Sequence, residues 1–194
     1  MCSHAPEGEA CKQQAQASLA RTWAAMVKSE REPEMTMTTL TLDQADRIIA
    51  AILERGAVLD CRPLAVIVVE PGCKVKAFRK EDGSSMIRFE MAYGKAYAAL
   101  AMGRSSKLVK ERAQEKPIFM RYLLSASGDQ IFPEGGGLQI RAAHGEVIGA
   151  VGVTGETEER DEELAAHGIR AADLKTDEDF AGHGRRGGVR LTNK

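Results

Sequence analysis

The chain has 194 residues, enough for one domain with tails, and its 43% hydrophobic and 28% charged residues are ordinary for a globular protein. A formal net charge of −1 with scattered basic residues gives no electrostatic footprint for nucleic acid. No apolar run approaches a membrane span, so neither nucleic acid nor membrane is an expected partner.

The four cysteines, Cys2, Cys11, Cys61 and Cys73, form no CxxC pair, and no basic segment followed by an unbroken apolar stretch opens the chain. Reduced thiols in a cytoplasmic protein without a signal peptide are expected. Residues 1–34 read as an N-terminal extension, with a candidate helix over Gln13–Lys28 and a charged linker, Glu30-Arg31-Glu32-Pro33-Glu34, that a proline closes. The domain proper is expected over residues 35–174, and residues 175–194, polar and glycine-rich from Gly182 to Gly188, read as a flexible tail.

Thr41-Leu42-Asp43-Gln44 has the form of a capping box, and Ala45, Ile48, Ile49, Ile52 and Leu53 follow at helical spacing up to Gly56, which should stop the helix. Leu64–Val69 is a β-branched run suited to a strand covered on both faces. Pro71-Gly72 turns the chain into Val75–Lys80 as an antiparallel partner. A second helix over Met86–Met102 carries two stripes. Phe89, Tyr93, Ala96 and Leu100 form an ordinary core face, while Ala92, Ala96, Ala99 and Gly103 admit a close-packed backbone or a flat ligand. Ser105 or Ser106 caps a short helix to Gln114; Ile118–Leu124 suits helix or strand, with helix preferred.

Gln130–Phe132 reads as a short strand. Gly135-Gly136-Gly137 then leads into Leu138–Arg141, which His144-Gly145 turns into Val147–Val153, an apolar strand with gaps at Gly149 and Gly152. Thr157 caps an acid-rich helix that His167-Gly168 should close. The element order implies an α+β fold: one five-stranded antiparallel sheet with helices layered on its faces.

Several of these segments together resemble the HbpS/GlcG-like family, which includes the C-terminal domain of PduO-type proteins. The match spans roughly Leu40 to Ile169 and rests on the first helix with its strand hairpin, on Gly94-Lys95-Ala96-Tyr97-Ala98-Ala99, on Gly135–Ile140, and on Gly145–Gly155 followed by Asp161-Glu162-Glu163. The resemblance implies a profilin-like three-layer arrangement, homo-oligomers, and haem binding or degradation. The chain departs from the pattern in carrying Glu70-Pro71 after the first strand, Leu138-Gln139 after the glycines, and no histidine in or near the first helix, where the PduO-type domain has a haem ligand.

Haem iron needs a His, Met, Cys or Tyr donor beside an apolar slot. His4 and His183 lie in the tails, His144 at a turn and His167 at a helix end, so Tyr93, Tyr97 and Met102 are the better-placed donors, with core packing as their competing role. Lys95 and Arg104 can grip a carboxylate or haem propionate, or else lie on a solvated helix face. Gly135, Gly136 and Gly137 offer backbone N–H groups to an anion, or else a loop of unusual dihedrals. Glu159, Glu162 and Glu163 suit a hard cation or simply complement the helix dipole. Two function classes follow: a small-molecule binding protein for haem or another tetrapyrrole, with slow degradation as an optional activity, and an enzyme or enzyme accessory subunit handling a small organic acid through Lys95, Arg104 and the glycine loop. The ligand site, formed by Tyr93, Tyr97, Lys95, Arg104 and Gly135–Gly137, is expected near a subunit boundary.

Overall fold

The computed structural model describes residues 39–180. The candidate helix at Gln13–Lys28, His4, His183 and most of both tails lie outside them. The first helix, α1 (Leu42–Val58), begins as its sequence requires: the Gln44 backbone N–H donates to Thr41 Oγ1 at 3.2 Å, and the Thr41 N–H donates to Gln44 Oε1 at 3.0 Å. These two bonds satisfy donors that the first helical turn leaves without partners. Two strands follow, β1 (Ala65–Glu70) and β2 (Lys74–Lys80), then three helices, α2 (Arg88–Met102), α3 (Ser106–Glu115) and α4 (Pro117–Ala126). A hairpin of β3 (Gly137–Arg141) and β4 (Val147–Thr154) leads into α5 (Glu158–Ala171).

The sheet has the order β2-β1-β4-β3 with every neighbouring pair antiparallel. It has four strands, not five. Gln130–Phe132 is not a strand, because its backbone is committed to a helix: the Phe132 N–H donates to the Gly94 carbonyl of α2 at 3.1 Å. The segment therefore lies across α2 instead of joining the ladder.

Side-chain alternation divides the core in two. Val66, Val68, Leu138, Ile140, Val151 and Val153 face α1 and α5, where Ile48, Ile49, Ile52, Leu164 and Ile169 complete the larger cluster. Ile67, Val69 and Ala150 face α2, against Ala92, Ala96 and Ala99. Each fully buried Val or Ile stabilises such a core by about 1.5–3 kcal/mol. Outside α2, α3 and α4 close a third cluster of Ala98, Val109, Met120 and Ile131. The result is three layers, helix–sheet–helix. No described helix is long and apolar enough to cross a membrane.

The small-residue stripe of α2 is used inside the molecule. A Cβ at Gly152 of β4 would lie 2.0 Å from the Ala92 carbonyl oxygen, so only glycine lets α2 sit this close to the sheet. Gly103 lies beyond this contact and ends α2 in the left-handed conformation, φ +63°. Two glycines read as helix stops are not stops. Gly56 lies within α1 against Leu64, and Gly168 lies within α5, where a Cβ would fall 2.7 Å from the Ile48 carbonyl oxygen of α1. Both serve close packing. After α5 the chain returns to the sheet: Lys175 and Arg141 exchange backbone hydrogen bonds of 2.8 and 2.9 Å, and Thr176 is buried.

Candidate ligand-binding site

Lys95 occupies the middle of α2 and is 2% exposed. Its Nζ donates to Asp161 Oδ2 at 2.8 Å and to the Val153 carbonyl at 3.0 Å. Asp161, in the first turn of α5, also accepts the Glu156 N–H on Oδ1 at 3.0 Å. A buried ammonium is tolerated only when paired and hydrogen-bonded in this way. The glycine loop packs over the pair. Gly136 has φ +109°, and a Cβ at Gly137 would lie 2.2 Å from the Lys95 carbonyl oxygen, so the loop needs glycine at both positions.

The loop's donors are occupied too. The Gly137 N–H donates to Ser106 Oγ at 2.8 Å, and the Gly135 N–H donates to Glu158 Oε2 at 3.3 Å. Ser106 in turn donates to the Glu134 carbonyl at 2.6 Å, and Lys110 bridges the Glu134 and Glu158 carboxylates at 2.8 and 2.9 Å. Hydrogen bonds from Lys110 and the Gly135 N–H hold the Glu158 carboxyl below its ordinary pKa, and the two carboxylates raise that of Lys110. This knot joins α2, α3, β4 and α5 around the loop.

On the other side of α2 the side chains are aromatic. Phe78 meets Phe89 edge-on at 5.0 Å, Phe89 stacks with Tyr93 at 6.1 Å and 11°, and Tyr93 leans on Tyr97 at 6.0 Å. The Tyr93 hydroxyl lies 3.1 Å from the Cys73 carbonyl oxygen and 3.3 Å from Gln130 Oε1, two acceptors for one proton. Burial pushes the Tyr93 phenol and the Cys73 thiol above their ordinary pKa values, which favours the neutral forms. Beside this row lies a cleft of about 370 Å³, open to solvent, between α2 and the 129–132 segment. Ile87, Phe89, Met91, Tyr93, Ile131 and Phe132 line it, together with Gly94, whose missing side chain lets Phe132 pack against α2. Ile87 is 56% exposed and Phe89 37%. Large apolar side chains left in water around a concavity make this cleft the candidate binding surface.

The expected site residues therefore separate. Lys95 and Gly135–Gly137 come together in the buried knot, while Tyr93 lines the cleft and Tyr97 stands next to it in the aromatic row. Arg104 is exposed just past Gly103, and Met102 packs with the outer cluster of α3 and α4. His144 and His167 are exposed on the β3–β4 turn and on α5, away from the cleft. Among the described residues no group of three or more His, Cys, Asp or Glu side chains is arranged to hold a metal ion, Glu159, Glu162 and Glu163 included. The sequence marks Phe89 only as core and gives no site signal at Met91, Ile131 or Phe132. Asp161 is legible as a first-turn acid and within the motif that carries the family resemblance, but not as the partner of Lys95.

Comparison with known proteins agrees with this architecture. The family described as "Haem degrading protein HbpS-like" matches residues 40–170. The chain belongs to the HbpS-like family. Its HbpS-like segment is similar to an uncharacterized 15.0 kDa protein in the dhaT–dhaS intergenic region of Citrobacter freundii, 29% identical over 130 residues that are 66% of this chain and 89% of that protein. Among solved structures it is similar to a PduOC–haem complex, with TM-score 0.65 and 24% identity over 72% of this chain and 99% of that one. It is also similar to the ORFY protein of Klebsiella pneumoniae, with TM-score 0.63 and 22% identity over 73% and 97%. A double mutant of Streptomyces reticuli HbpS gives TM-score 0.60 and 23% identity over 72% and 92%. At these identities the likeness establishes the HbpS-like fold.

Proposed function

We propose that this protein binds a small molecule, haem or another tetrapyrrole, in the cleft beside Tyr93. The observation that carries this is the cleft itself: an apolar hollow walled by Phe89, Tyr93 and Phe132 and open along one side, as a flat, largely apolar ring requires. Membership of the HbpS-like family supports it, as does a shared fold with a protein crystallised as a haem complex. The lining fits the group. Ile87, Phe89, Ile131 and Phe132 would hold the ring by apolar contact, and Met91 and Tyr93 are the lining residues of a type that can ligate haem iron. When bound, the group supplies the redox chemistry of its iron. Slow degradation, given dioxygen and an external reductant, is the accompanying proposal.

The small-organic-acid reading keeps only Arg104, which is exposed and stands apart from the other expected donors. Lys95 is neutralised by Asp161, and the N–H groups of Gly135 and Gly137 already serve Glu158 and Ser106. A second hollow of about 320 Å³ between α3, β3 and the segment after α5 is lined by Lys107 but also by Glu111, Glu162, Asp177 and Glu178, the wrong sign for an acid.

Titration with haem, followed in the Soret region, tests the proposal. Saturable binding is expected, and Phe89→Ala or Tyr93→Ala should weaken it about tenfold, the equivalent of one lost aromatic contact of about 1.4 kcal/mol. Absence of a saturable spectral change, or variants that bind like the parent, would refute it. We also propose that the protein works as a homo-oligomer, since Met86 (91% exposed), Ile118 and Tyr122 stand in water on the α2–α4 side. A monomer mass near 21 kDa by light scattering would exclude that.

A further inference from the structure

The sign of the charge around the cleft bears on which tetrapyrrole it takes. Two lining residues carry carboxylates, Glu90 on α2 and Asp129 on the facing loop, and none is Lys, Arg or His. Both are exposed, and neither forms an ion pair among the described residues. This contrasts with Glu134 and Glu158 in the knot, which share Lys110. Lys95 and Arg104, the cations that were expected to receive an anionic ligand, are absent from the lining. To whatever enters between its walls, the rim therefore presents two carboxylates that no described cation pairs with.

We propose that Glu90 and Asp129 make the cleft selective for tetrapyrroles with an uncharged periphery, such as esterified or amidated side chains, over ring dicarboxylates. The inference rests on the tetrapyrrole reading of the cleft. Its physical basis is like-charge repulsion at the rim: a porphyrin diacid brings two propionates toward two carboxylates, whereas its diester brings none and keeps the same apolar face. At separations of about 8 Å through water each like-charge pair weakens binding about twofold at low salt, and salt screens the effect.

The test compares haem with its dimethyl ester on the full chain and on the Glu90→Gln/Asp129→Asn variant. Asn suits position 129 because it tolerates the left-handed backbone there, φ +58°. The parent should bind the ester several-fold more tightly than the diacid, the variant should bring the two within about twofold, and raising the salt should narrow the gap in the parent alone. A diacid bound at least as tightly as the ester, or a preference that survives in the variant, overturns the selectivity while leaving tetrapyrrole binding intact. If neither porphyrin binds the parent, the binding proposal fails and the selectivity falls with it.

Discussion

Removing an ammonium from water costs several kcal/mol unless an opposite charge and further hydrogen bonds replace the solvent, and Lys95 has both replacements in Asp161 and the Val153 carbonyl. Lys95→Met leaves Asp161 buried without a counter-charge. The expected loss is about 3–5 kcal/mol in urea unfolding, and Lys95→Met combined with Asp161→Leu should recover part of it. Recovery stays incomplete because Asp161 also serves the Glu156 N–H. A single-variant loss below about 1 kcal/mol would mean that the pair does not hold this layer together. Glu158 gives a pH-dependent counterpart. Its carboxyl is held below the ordinary value of 4.5, first by Lys110, so its contribution is full above that value and is lost as pH falls through the lowered one. Glu158→Gln should therefore be less stable than the parent at about pH 7, and the difference should close as pH falls through the lowered value, as urea midpoints measured along a descending pH series would reveal.

At the scale of elements, what decides the fold is how closely helices approach the sheet and each other. Gly152→Val puts a side chain where the Ala92 carbonyl of α2 already sits, and since the obstacle is backbone the helix itself must move. Gly168→Ala makes the milder version of the same clash with α1. Expected losses are about 3 kcal/mol or more for the first, to the point of insoluble expression, and about 1–3 kcal/mol for the second. Thermal melts that place Gly152→Val within two degrees of the parent would contradict this. The same glycines explain what the sequence revealed. The capping box at Thr41–Gln44 closes within four residues and was legible, as was the close approach at Gly152, since a glycine inside an apolar strand has few other uses. Gly168 near the end of a polar helix looks locally identical whether it caps or packs, and its partner Ile48 lies far away in the chain. Gln130–Phe132 was misread for the same reason: its apolar pattern suits a strand, but the group that takes its N–H is Gly94.

Over the whole molecule, the candidate site was legible only in its parts. Tyr93 was named from its helix face, but the cleft needs residues 87–94 and 129–132 brought together across α3 and α4, which periodicity cannot reveal. Lys95 was named with the wrong surroundings, because its partner Asp161 lies 66 residues away. The extent of the folding unit poses the same question of distant contacts. Residues 175–180 begin the segment read from sequence as a tail, yet Lys175 pairs with Arg141, Asp177 forms an ion pair with Arg141, and Arg170 holds Glu178 and Asp179. The pairing satisfies the backbone groups at the end of the β3 edge, at Arg141. A chain of residues 35–180 should therefore unfold at the same urea midpoint as the full chain and bind the same tetrapyrrole with the same affinity. A chain of residues 35–174 should lose about 2.5–6 kcal/mol, the sum of two backbone hydrogen bonds and a charge-assisted one. Equal midpoints for the two truncations would mean that the segment after α5 is only laid against the sheet, and a lower midpoint for residues 35–180 than for the full chain would mean that the removed ends contribute to the fold.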